Sequence, residues 1–121
     1  MPEILVTGVI SNQTSYSFVV AGGEVFAGQW VEQPQPVPAM AKVTAFSATG
    51  AAGESTGAAG YALYDVLSAD GTNLGTAQVN FSDPYLGNNT CSAATTVPGL
   101  GIAGVCPQTG STFTITWNVS T

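Results

Sequence analysis

The chain has 121 residues, one Lys against seven carboxylates, no His, and a formal net charge of −6. That length gives one domain with enough chain to bury a core. A single cation excludes nucleic-acid binding, which needs Lys and Arg to displace phosphate counterions, and it excludes docking to anionic lipid through a polybasic patch.

Charged residues make up 7% of the chain and hydrophobic residues 45%, whereas ordinary soluble domains are about a quarter charged. The surface must therefore be Thr, Ser, Asn, Gln and backbone, a composition closer to secreted or coat-like β proteins than to a cytosolic enzyme. Any membrane contact has to engage neutral or zwitterionic headgroups through aromatic and hydrogen-bonding side chains. The opening MPEILVTGVI lacks the cationic and long apolar regions of a secretory signal and reads as a strand. The longest apolar runs are too short to span a bilayer. The expectation is a protein without signal peptide or transmembrane segment, either cytoplasmic or exported by an unconventional route, with the extracellular location favoured. The sequons at Asn12, Asn88 and Asn118 matter only if the chain enters a secretory pathway.

In chain order, Glu3 to Ile10 is β-rich and ends in the polar turn Ser11-Asn12-Gln13. From Thr14 to Val20, Tyr16 and Phe18 alternate with Ser15 and Ser17 as in a half-buried strand, and Ala21-Gly22-Gly23 breaks it. Val25 and Phe26 precede Gly28, with Trp30 and Val31 beyond. Gln33 to Pro38 spaces prolines every second residue, which predicts an extended edge or a crossing between sheets, because proline cannot donate to a ladder. Lys42 to Ala48 alternates, with Thr44, Phe46 and Ala48 on one face and Val43, Ala45 and Ser47 on the other. Thr49 to Gly60 reads as a small-residue loop, and Tyr61 to Leu67 as a strand. Asp70-Gly71 predicts a hairpin turn into Leu74 to Phe81, with Ala77, Val79 and Phe81 in phase.

Residues 83–111 read as a long Gly/Thr/Asn-rich loop region. Thr112 to Val119 carries the clearest alternation, Phe113, Ile115, Trp117 and Val119, and predicts a last strand that joins a sheet begun near the N-terminus. No window supports an amphipathic helix. The fold class expected is all-β: a single-domain antiparallel β-sandwich without substantial helix.

Catalytic chemistry is poorly supplied. Without His, a Ser or Cys nucleophile lacks its usual base. The carboxylates Glu32, Glu54, Asp65 and Asp83 show no spacing that selects an acid–base pair. The expectation is a non-enzyme. Cys91 and Cys106, with fourteen residues between them, are too few for a soft-metal site. They are expected to form a disulfide in an oxidising compartment, contributing at most about 3 kcal/mol. Asp83, Asn88 and Asn89 offer oxygens for a weak calcium site, with Asx-turns as the alternative use of the same side chains. Phe113 and Trp117 are core residues by their alternation. Trp30, before the proline crossing, and Tyr85, beside Pro84, can either pack or present an apolar body with a polar tip to lipid or sugar.

The order of these signals resembles the aegerolysins. The matching pieces are Asn12-Gln13-Thr14, Gly28-Gln29-Trp30 followed by Pro34 and Pro36, and Val43-Thr44-Ala45-Phe46 before a Gly-rich loop. Gly57-Ala58-Ala59-Gly60-Tyr61 leading to Tyr64, and Asp83-Pro84-Tyr85-Leu86-Gly87-Asn88, complete the series, which covers most of residues 4–90. The resemblance implies an acidic β-sandwich that binds membrane lipid, often sphingolipid-containing, sometimes as one half of a two-component pore, with lipid contacts carried over to Trp30, Tyr85 and Asn88. This chain is shorter than those proteins, has fewer tryptophans, and holds a Cys-bounded segment with no counterpart. Lipid specificity and a cytolysin or toxin role are the inferences those departures weaken most. The alternative reading is a lectin-like module that stacks sugar on Trp30 or Tyr85, or a self-associating coat protein and homo-oligomer.

Overall fold

The computed structural model describes residues 4–50, 57–84 and 87–121. Strands β1 (Leu5–Asn12), β2 (Ser17–Ala27), β3 (Gln29–Glu32), β4 (Lys42–Thr49), β5 (Ala58–Leu67), β6 (Asn73–Asp83), β7 (Thr90–Thr95), β8 (Gly101–Val105) and β9 (Thr112–Ser120) follow one another, with no helix among the described residues. They form a five-stranded sheet in the order β3-β4-β1-β9-β8 and a four-stranded sheet in the order β2-β5-β6-β7. The chain is an all-β sandwich, as expected. Every pairing is antiparallel except one: β9 lies parallel to β1, Leu5 against Thr112 through Asn12 against Val119. Parallel neighbours need a long connection, and here almost the whole chain is that connection.

The last strand faces the core as its alternation predicts: Phe113, Ile115, Trp117 and Val119 are all buried. The rings of Phe46, Phe81, Trp30 and Trp117 form one cluster spanning both sheets. Phe46 stacks on Phe81 at 5.3 Å, receives the edge of Trp30 at 5.7 Å and touches Trp117 at 5.8 Å. Such pairs contribute about 0.5–1.5 kcal/mol each beyond their burial. Gly8 makes the cluster possible: a Cβ there would stand 2.3 Å from Phe46 Cζ. The register between β1 and β4 slips after Gly8, so Ala45 and Phe46 are both buried. The strict alternation expected across Lys42–Ala48 holds only on one side of that bulge.

The proline-paced segment is the predicted crossing. Gln35 donates its backbone N–H to the Ala45 carbonyl in one sheet at 2.8 Å, while Val37 and Phe18 of the other sheet exchange two backbone bonds at 2.9 Å. Tyr64, in the core, donates its hydroxyl to the Gln35 carbonyl, and burial pushes that phenol above its ordinary pKa. The end of the crossing is held by Asn12. Buried, it accepts from the amide and hydroxyl of Thr14 and donates to the carbonyls of Tyr16 and Pro38. A satisfied, buried side chain cannot serve as a glycan acceptor, so that sequon is structural. The Asp70-Gly71 turn joins β5 to β6 as predicted, with Gly71 at φ +87°.

Three expectations are corrected. Ala21-Gly22-Gly23 does not end the second strand; β2 runs through it with a register slip between Val20 and Gly22. Two strands, β7 and β8, lie inside 83–111, where the sequence predicts loop. Both are edge strands of small residues, and their inward positions (Cys91, Ala93, Ile102) pack on the core only partly buried. The loop expected over Thr49 to Gly60 is shorter than predicted, since β4 includes Thr49 and β5 begins at Ala58; residues 51–56 lie outside the described residues.

Candidate functional site

One corner of the sandwich presents two of the large exposed apolar side chains, Phe26 and Val31. Strands β2 and β3 belong to different sheets and are joined by Gly28 alone, at φ +86°, where a Cβ would meet the Thr49 carbonyl oxygen at 2.1 Å. On either side of that glycine stand Phe26, 68% exposed, and Val31, 61% exposed. Each is the extra residue of a β-bulge. Val25 pairs with Gly60 and Ala27 with Ala59, leaving Phe26 over; Trp30 pairs with Ala48 and Glu32 with Ser47, leaving Val31 over. Bulges re-aim a side chain and bend the strand, and here they turn two apolar groups to solvent at the same corner. Tyr61 of β5 lies beside Phe26 with ring centroids 5.6 Å apart, so the patch includes two rings.

Trp30 sits behind this pair. It is half-buried and packs against the stacked pair of Phe46 and Phe81, at 5.7 and 6.1 Å. Gly23 lies alongside: a Cβ there would be 3.0 Å from the Tyr61 carbonyl oxygen, 3.2 Å from Pro34 Cγ and in ordinary contact, 3.5 Å, with Trp30 Cζ2. The inner edge of Trp30 is thus part of the core. Glu24 and Glu32 flank the patch as exposed side chains, while Lys42 lies at the far end of its strand, opposite Ser11.

The connection from β6 to β7 leaves the sandwich at the same end, since Ala27 faces Ala59, the neighbour of Ala58, which faces Asp83. Asn88 there is exposed; Tyr85 lies outside the described residues. Trp30 and Asn88 therefore share one end of the molecule. The calcium candidates are put to separate uses. Asn89 is buried and donates its amide to the carbonyls of Pro107 and Gly110, both at 3.1 Å. Asp83 is 1% exposed, its Oδ2 has no hydrogen-bond partner, and burial pushes its carboxyl up to about 6. No group of three or more His, Cys, Asp or Glu side chains gathers among the described residues.

Cys91 and Cys106 are brought together, as their expected pairing requires, but as free thiols, one hydrogen-bonded to the other. On the outer face of the four-stranded sheet, Asn80, Ser82, Thr90 and Ser92 line a shallow depression of about 150 Å³. Gln78 donates to Asn80, and Asn80 to Ser92, along it. Phe81 and Cys91 complete its lining, which carries no charged side chain.

Sequence reasoning missed Phe26, Val31 and Tyr61 as surface groups. A bulge has no fixed signature in composition, so the phase of Phe26 could not be read; the nearest signal is Gly28, whose position between two apolar pairs marks a sharp corner.

The β-sandwich that the aegerolysin resemblance implies is the fold shared with two solved structures. The solved structure of the lipid-binding protein Nakanori superposes with a TM-score of 0.75 at 13% identity, covering 98% of this chain and 71% of that one. The structure of RahU in complex with a TRIS molecule superposes with a TM-score of 0.60 at 16% identity, covering 98% and 93%. No family model matches the chain, and no curated protein sequence does. At these identities the likeness establishes the fold.

Proposed function

We propose that this protein is a non-enzymatic lipid-binding module that docks on neutral or zwitterionic membrane surfaces through the β2–β3 corner. The observation that carries this reading is the pair of bulges that turn Phe26 and Val31 outward beside Tyr61. An apolar group held at an exposed corner lowers its free energy by entering the headgroup–acyl boundary, and an aromatic ring suits that depth. The lipid-binding description of Nakanori supports the same class. With one Lys in the chain, attraction to anionic lipid is absent and like-charge repulsion opposes it. Asn88, exposed at the same end, supplies an amide for headgroup oxygens. Sphingolipid preference and membership of a two-component cytolysin are refinements of this reading. No helix among the described residues is long and apolar enough to cross a membrane.

Sedimentation with phosphatidylcholine vesicles, with and without sphingomyelin and cholesterol, tests the reading. The protein should pellet with at least one mixture, in chelator as well as in calcium. Phe26→Ala with Val31→Ala should cut the bound fraction by at least fivefold with folding intact. Failure to pellet with any neutral mixture sinks the proposal, and capture on a glycan array without vesicle binding would replace it with the lectin-like alternative.

A further inference from the structure

The two sheets approach each other at their β7 and β8 edges without a backbone ladder, since each of those strands pairs with one neighbour only. Side chains close this seam. Trp117 of β9 donates its indole N–H to the Ser92 carbonyl of β7 at 3.2 Å. Beside it lies Cys91 of β7, whose Sγ would stand 3.3 Å from a Cβ on Gly104 of β8. Cys106 follows β8 immediately and meets Cys91 thiol to thiol. Both cysteines pack against the core cluster. The loop after Cys106 is tied down by Asn89, two residues before Cys91: its amide N–H donates to Gln108 at 2.9 Å, and its side chain to Pro107 and Gly110.

We infer that Cys91 and Cys106 are a reversible redox lock, a thiol pair whose disulfide fastens the four-stranded sheet to the five-stranded sheet along their shared open seam. The pair is pre-positioned in the reduced protein by neighbours that do not depend on the bond, so closure needs little backbone movement. The oxidant is a small-molecule disulfide of the glutathione class. The Cys106 thiolate attacks one sulfur of that disulfide, forming a mixed disulfide and releasing one thiolate, which takes up the proton Cys106 lost. Cys91 then displaces the second thiol, its own proton passing to that leaving group. Two protein thiols are oxidised, and one disulfide is reduced to two thiols. Cys91 suits the second step because burial and the neighbouring thiol push its pKa up to about 12, which makes it a poor first attacker at neutral pH.

The lock ties residues far along the chain from the β2–β3 corner and is independent of lipid binding. Its test is incubation of the reduced protein in glutathione redox buffers, followed by alkylation of remaining thiols, mass spectrometry of the intact chain and of peptic peptides, and thermal unfolding. The expected product is a monomer that has lost two hydrogens and both alkylation sites, with a peptide linking Cys91 to Cys106. Its unfolding midpoint should rise by roughly 5–10 °C and fall back on reduction. Cys91→Ser and Cys106→Ser should show no redox-dependent shift. A stable glutathione adduct, a disulfide-linked dimer or persistent free thiols in oxidising buffer would overturn the inference, and so would an intramolecular bond that leaves the midpoint unchanged.

Discussion

Trp117 and Ser92 join the two sheets by a single hydrogen bond, indole N–H to carbonyl at 3.2 Å, from a side chain that is fully buried. Trp117→Phe keeps most of the apolar volume but leaves that carbonyl without its donor. The expected cost is about 1–3 kcal/mol, read as a lower urea midpoint with the denaturant slope unchanged. A loss smaller than about 0.5 kcal/mol would mean that the seam does not rely on this bond.

Gly8 lies under the Phe46 ring, where a Cβ would stand 2.3 to 2.7 Å from three ring atoms. Gly8→Ala should therefore cost about 2–3 kcal/mol as the ring is forced off its stacking partners. Gly22, with open space around its Cβ position, is the control: Gly22→Ala should leave the unfolding midpoint nearly unchanged. Equal effects of the two substitutions would show that the ring can move aside.

Asp83 makes stability depend on pH. Its carboxyl titrates at about 6 in the folded protein against an ordinary value of 3.8, so the folded state holds the proton more tightly than the unfolded chain. The Asp83 contribution to stability is then greatest below about pH 4, falls as pH rises through the interval up to about 6, and levels off above it, for a loss from this group on the order of 3 kcal/mol. Asp83→Asn should remove this slope and raise stability at pH 7. Denaturant titrations at pH 4 and pH 7 check it, and identical pH slopes for wild type and variant contradict it.

Phe26 and Trp30 should separate binding from folding. Phe26 is mostly exposed, so Phe26→Ala should change stability by less than about 0.5 kcal/mol while weakening vesicle binding. Trp30→Ala removes a ring packed against both Phe46 and Phe81 and should cost about 2–4 kcal/mol. Trp30→Phe should restore most of that. Thermal unfolding beside vesicle sedimentation reads both; a Phe26→Ala protein as destabilised as Trp30→Ala would assign the corner to packing.

The parts of this fold that were legible in the sequence are those where one face is buried without interruption. Phe113, Ile115, Trp117 and Val119 repeat every second residue, and the strand, its buried face and its sheet follow from that. The period fails where a residue is inserted: Ala45 buries two successive side chains of β4, and Phe26 and Val31 leave theirs outside. Strands β7 and β8 were hidden for another reason. Threonine, alanine and glycine at an edge carry little apolar contrast, and the cross-strand partners that make them strands, Phe81 for Cys91 and Val119 for Ile102, lie elsewhere in the chain. The candidate corner combines both difficulties, and so Trp30 could be marked from its neighbours while Phe26 and Val31 could not.

The position of β9 between β1 and β8 has a consequence for biosynthesis. On a ribosome, β1 emerges first yet must wait for residues 112–120 before its second neighbour exists, and β8 has no partner in its own sheet until then. The hairpin-linked β5, β6 and β7 are complete much earlier. Folding during translation should therefore begin in the four-stranded sheet, with the other half left open and exposed to chaperones until the last strand arrives to bridge it.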